Sequence, residues 1–162
     1  MAHSAIAVTL SDDGWVGDEV DLSEVEDLDT LTELLRDRRR DGPVLLFVEE
    51  DDEYLGIVRV DGDGDPRVFL SDRRALGTSE LASRLFEDAL PVGVPVPADD
   101  DEDARPAAAD PVGDVELLAD LGTPGDVVVE LCAEEGMLPG DVTSALGERG
   151  GFADVLDQVR AV

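Results

Sequence analysis

Three short apolar runs between Pro43 and Ser71 constrain what this chain can fold into more than any other feature. Residues 44–48 form the first, 54–60 the second and 67–70 the third, with acidic turn segments between them. Runs of this length, rich in Val and aromatic residues and bounded by turn chemistry, predict an antiparallel meander. Residues 44–48 are apolar without a break, as a strand buried on both faces should be. Gly56 and Arg59 interrupt the second run, which predicts that one face there is less completely covered. The second loop, Asp61-Gly62-Asp63-Gly64-Asp65-Pro66, spaces its aspartates like a calcium loop. Pro66 stands where such a loop needs Gly, Asp72 stands where it needs Glu, and the flanks read as strands. A hairpin turn is the better reading.

Either side of the meander, the pattern changes with the element. Ile6, Val8 and Leu10 alternate, Ser11-Asp12-Asp13-Gly14 supplies turn chemistry, and the chain returns from Trp15 to Val20 as a second strand. A helix follows, with two competing capping boxes, Ser23 with Glu26 and Thr30 with Glu33. Val25, Leu28, Leu31, Leu34 and Leu35 form its apolar stripe. It ends at the chain's one basic cluster, Arg36, Arg38, Arg39 and Arg40, before Gly42-Pro43. The simplest account of these arginines is complementation of the helix dipole and pairing with local acids. The alternative is contact with a phosphate or a partner, which makes them the only candidate site residues in the sequence.

After the meander, Ser71-Asp72 opens another helical region, with Thr78 or Ser79 as a second cap and Leu81, Leu85, Phe86, Ala89 and Leu90 as its stripe. From Pro91 the chain turns rich in proline, with an acidic run at 99–103. Such a stretch buries too little apolar surface to offset its ordering entropy, so 91–112 reads as a disordered acidic linker, or as an acidic docking segment. Short helices follow. Asp114 caps 115–121, Thr123-Pro124 opens a second with Val127, Val128, Leu131 and Cys132 inward, and Pro139 opens a third to about 146. Phe152, Val155, Leu156 and Val159 mark the last. The expected fold is α+β: an antiparallel sheet of about five strands (hairpin, helix, three-stranded meander, helix), then a small all-helical C-terminal unit. The expected units are 1–90 for the sheet domain, 91–112 for the linker and 113–162 for the helices.

Composition narrows the chemistry. With one cysteine, Cys132, and one histidine, His3, the chain has no internal disulfide and no zinc site built from Cys and His. It also lacks a Cys-His or Ser-His pair drawn from ordered chain. Cys132 lies on an apolar stripe and reads as a small core residue. Acids outnumber bases 41 to 12, for a net charge of −29, and every base is arginine. A GC-rich genome or a high-salt environment accounts for that balance; an acidic field that steers the chain to a basic partner is the functional alternative. Free nucleic acid is repelled in either case. The helices at 123–149 invite comparison with a helix-turn-helix, but Asp141 and Glu148 give the recognition position the wrong sign. No run suits a membrane span and no secretory signal is visible, so the expected location is the cytoplasm.

An Ala-Ile-Ala-Val strand followed by Gly14-Trp15, the 43–54 stretch Pro-Val-Leu-Leu-Phe-Val-Glu-Glu-Asp-Asp-Glu-Tyr and Arg67-Val-Phe-Leu-Ser-Asp-Arg form an ordered series. After the acidic break come Gly113-Asp-Val-Glu-Leu-Leu-Ala-Asp-Leu-Gly, Gly136-Met-Leu-Pro and Gly151-Phe. Together they resemble the tRNA adenosine deaminase-associated protein family of bacteria with GC-rich genomes. The resemblance implies a partner, the tRNA adenosine deaminase that converts wobble adenosine to inosine, because the family is named from neighbouring genes. It supplies no catalytic residues and no cofactor. The deaminase's own His-x-Glu and Pro-Cys-x-x-Cys motifs are absent from this chain. The expectation is therefore a non-enzymatic accessory protein that binds the deaminase. The rivals are a stand-alone acidic domain with an unrelated protein partner and a carboxylate- or metal-dependent enzyme.

Overall fold

The predicted meander forms as β3 (Val44–Glu50), β4 (Tyr54–Val60) and β5 (Arg67–Leu70), each antiparallel to the next. The computed structural model describes residues 3–23, 25–38, 42–50, 54–61, 66–72, 75–86, 112–133 and 138–160. The N-terminal hairpin, β1 (His3–Ser11) and β2 (Gly14–Glu19), adds to the meander through β1 beside β3. Its turn closes where the Ser11 hydroxyl donates to the Gly14 carbonyl at 2.8 Å, with Gly14 in a left-handed conformation, φ 116°. A two-residue strand, β6 (Val112–Gly113), pairs with β5, so the strand order is β2-β1-β3-β4-β5-β6. The five expected strands are present, and β6 is an addition too short to leave a pattern in the sequence.

Helices cover both faces. On one side lie α1 (Leu28–Arg38), α2 (Ala75–Thr78) and α3 (Glu80–Phe86). Leu31, Leu35, Leu81, Leu85 and Phe86 meet Ala5, Ala7, Leu46, Val48, Tyr54 and Val58 there. On the other lie α4 (Gly125–Ala133), α5 (Pro139–Gly150) and α6 (Ala153–Arg160). Val128, Val142, Leu146, Phe152 and Leu156 bury Ile6, Val8, Leu45, Phe47, Leu55, Ile57 and Phe69. Successive strand residues point to opposite faces, so β3 and β4 carry apolar side chains both ways because both ways lead to a core. The C-terminal helices are thus packed on the sheet. The linker reading, 91–112, falls outside the described residues apart from Val112 in β6.

Four local expectations change. The second strand has no open face: every residue of β4 is buried, Gly56 under the ring of Phe86 and Arg59 under the C-terminal unit. Neither predicted capping box starts α1. Asp27 does so, its Oδ1 accepting the Thr30 N–H at 2.8 Å, and that bond holds its carboxyl below the usual range. Ser79, one of the two predicted caps, accepts the Ala82 N–H at 3.1 Å at the start of α3. Residues 115–121 make turns and then a 3-10 segment, Ala119–Leu121, in place of a helix. Gly122, at φ 100°, ends it, where an added Cβ would stand 2.5 Å from the Arg149 carbonyl oxygen. The third C-terminal helix, α5, runs on to Gly150, past its expected end.

Candidate interaction surface

Arg36 and Arg38 occupy the last turn of α1, as predicted. Arg38 is half-buried and donates from Nη1 to Asp18 Oδ2 of β2 at 3.2 Å. It thereby ties the helix end to the sheet edge, through an acid 20 residues away and not a local one on the helix. Arg36 is exposed. Arg39 and Arg40 lie outside the described residues, as do residues 62–65 of the loop compared with a calcium site.

Asp18 connects this corner to a feature that the sequence reading missed. Gly17, Asp18 and Glu19 of β2, with Gln158 and Val159 of α6, line a surface cleft of about 330 Å³. The cleft exists because α6 lies close against β2. A Cβ at Gly17 would stand 2.3 Å from Val155 Cγ1, so only glycine admits the helix there. Trp15 fixes the same approach, its ring edge-on to Phe152 at 5.1 Å. A glycine inside a strand was the available signal, but its partner helix lies at the far end of the chain.

Two further polar groupings hold elements to the sheet. The Ser79 hydroxyl donates to Glu50 Oε1 and lies 3.4 Å from the Tyr54 hydroxyl. Because Ser79 also caps α3, this grouping joins helix and sheet on the first face. On the second face, Arg59 donates from Nε to Asp61 at 2.9 Å, from Nη1 to the Leu117 carbonyl and Asp120 Oδ1 at 2.5 and 2.6 Å, and from Nη2 to Asp120 Oδ2 at 2.8 Å. Its cross-strand neighbour Arg67 donates to Asp114 Oδ2 at 2.5 Å. The two arginines therefore clamp the 113–122 segment to β4 and β5. Hydrogen bonds to Asp120 raise the Arg59 pKa still further, and they hold the Asp120 carboxyl below the usual range, as Arg67 does for Asp114. Cys132 packs against the second core, and burial pushes its thiol up to about 11. A thiol so protonated at neutral pH is a poor nucleophile.

A pH dependence follows. Asp120 is more acidic folded than unfolded, so its contribution is full above the unfolded value, near 4, and is lost as pH falls through the folded one. The stability difference between wild type and Asp120→Asn, measured by urea unfolding, should therefore be constant near neutrality and shrink towards zero in acid. Taking the difference cancels the response of the other carboxylates. A difference that held steady into acid would show that Asp120 acts through something other than its charge.

Among the described residues, no three His, Cys, Asp or Glu stand together so as to hold a metal ion. No described helix is long and apolar enough to cross a membrane. A family profile, the Rv3753c-like tRNA adenosine deaminase-associated protein, matches residues 3–153. The chain belongs to that family. It is 30% identical to Protein Rv3753c of Mycobacterium tuberculosis over 125 residues, which make up 77% of this chain and 68% of that protein. No solved structure matches it. The family is described as associated with the deaminase, not as a deaminase. Its matched span takes in the whole sheet, the Arg59 clamp and α4 and α5, and ends as α6 begins.

Proposed function

We propose that this family member is a non-enzymatic accessory protein that binds tRNA adenosine deaminase in the cytoplasm, without a cofactor of its own. Family membership carries the proposal. The charge supplies a mechanism: an enzyme that binds tRNA presents a basic face, and a chain of net charge −29 is drawn to such a face at low salt. Bound there it competes with tRNA, shields the enzyme or assists its folding. The same charge argues against direct contact with tRNA by this chain alone. Arg36, Arg38, Arg39 and Arg40 belong to the proposed contact region as its basic minority, and Arg38 reaches Asp18.

Co-purification with the deaminase at low and high salt tests the reading. A complex at low salt that weakens as salt rises is expected if the acidic field contributes. A complex that persists at high salt keeps the accessory role and assigns the affinity to apolar contact. Absence of any association at low ionic strength removes the proposal.

A further inference from the structure

The outer side of β2 has no strand beyond it among the described residues. The Val20 N–H donates to the Ala5 carbonyl at 2.8 Å, continuing the register in which Ala7 faces Asp18 and Thr9 faces Val16. In an antiparallel ladder, hydrogen-bonded and non-bonded pairs alternate. Val16, Asp18 and Val20 thus turn their backbone groups to β1, and Trp15, Gly17 and Glu19 turn theirs outward. Gly17 and Glu19 are the same residues that open into the cleft against Gln158 and Val159. The unpaired edge and the cleft are one feature.

That combination suits an added strand. Its backbone would pair with Trp15, Gly17 and Glu19, and its side chains would alternate between the two faces. On the α6 side, Val155 closes over Gly17, and the cleft beside it, lined by Glu19, Gln158 and Val159, is where the added side chains would lie. On the other side Val16, 42% exposed, offers an apolar neighbour. The occupant is selected by charge. Asp18 and Glu19 lie on the edge, Asp154 and Asp157 are exposed on α6, and Arg38 at the end of α1 is already paired with Asp18. A second copy would bring the same acids at −29 per chain, and nucleic acid meets the same objection.

We infer that the β2 edge is a strand-addition site for an extended, basic segment of a partner protein. The inference rests on the accessory reading only for who carries the segment, namely the deaminase.

The probe is a fluorescent peptide of alternating valine and arginine, with a valine–glutamate peptide and a version N-methylated at alternate backbone positions as controls. Binding is read by anisotropy at physiological salt, and amide exchange by NMR on the full chain. The basic peptide should bind and slow exchange of the Gly17 and Glu19 amides, and the two controls should not. Glu19→Pro removes one outward donor without touching the β1 ladder, and should weaken binding about tenfold. Glu19→Gln, which keeps the N–H, should change it by less than about threefold. The methylated peptide keeps the test valid if Glu19→Pro folds poorly.

Absence of binding, binding indifferent to N-methylation, or protection elsewhere overturns the inference. So does a dimer in sedimentation that Glu19→Pro dissolves, which would make a second copy the occupant. The deaminase arm separates the two readings. A deaminase complex as strong in Glu19→Pro as in wild type overturns the edge as its site and leaves the accessory role standing. A peptide that binds as expected while the deaminase does not removes the accessory role and leaves the edge site standing.

Discussion

Phe152→Ala should lower unfolding stability by about 4 kcal/mol, the largest loss expected from any one substitution in this chain. Phe152 is fully buried between the two ends of the fold, 5.1 Å from the Trp15 ring and 5.4 Å from Phe47. Truncation removes its transfer energy and leaves a void, because the surrounding sheet and helices cannot close up around it. It also ends the edge-on contact with Trp15, worth up to about 1 kcal/mol beyond burial. Urea unfolding should show a lower midpoint, with Trp15 fluorescence reporting the loss at the same denaturant concentration as circular dichroism. A variant within about 1 kcal/mol of wild type would show that the packing of Phe152 on Trp15 and Phe47 contributes little to the fold.

Arg59→Met should cost about 3 kcal/mol, or a fall in melting temperature of roughly 10 °C for a chain of this size. Methionine keeps much of the buried stem but removes every donor, which leaves the Leu117 carbonyl without the guanidinium that reaches it. Asp120 is largely exposed and returns to water at little cost. The penalty therefore comes from the buried carbonyl and from the freed 113–122 segment. Hydrogen exchange should rise first in that segment and in α4, and differential scanning calorimetry gives the melting shift. Unchanged stability would show that the clamp is replaceable by apolar packing, as some buried ion pairs are.

The same arginine shows how much the sequence could tell. The meander was legible because unbroken apolar runs between turn residues have few alternative structures. The amphipathic helices were legible by their spacing. Arg59 was not: one charge inside a strand looks the same whether its face is open or closed over an ion pair. The deciding partner, Asp120, lies 61 residues away. The segment at 115–121 misled for a related reason, since Asp114 had the chemistry of a helix cap. In the fold its carboxylate serves both the Glu116 N–H at 3.0 Å and Arg67. Asp27 lost to two better-looking capping boxes because capping depends on where tertiary packing lets the first turn begin. At the candidate surface, the sequence singled out arginines by their clustering. It passed over Gly17 and Glu19, whose role depends on an edge and a helix that only the assembled sheet brings together.

The packing of α6 against β2 has a consequence for how the chain is made. Phe152 follows its neighbour Trp15 from the ribosome only after roughly a hundred and forty more residues, on the order of ten seconds of synthesis. During that interval the sheet can assemble with α1 and α3 on one side, while Ile6, Val8, Leu45, Phe47 and Ile57 face the other without α6 and its companions. A nascent chain in that state displays an apolar surface beside an unpaired acidic edge. The helices α4, α5 and α6, all translated after the meander, together remove this surface from reach of other nascent chains.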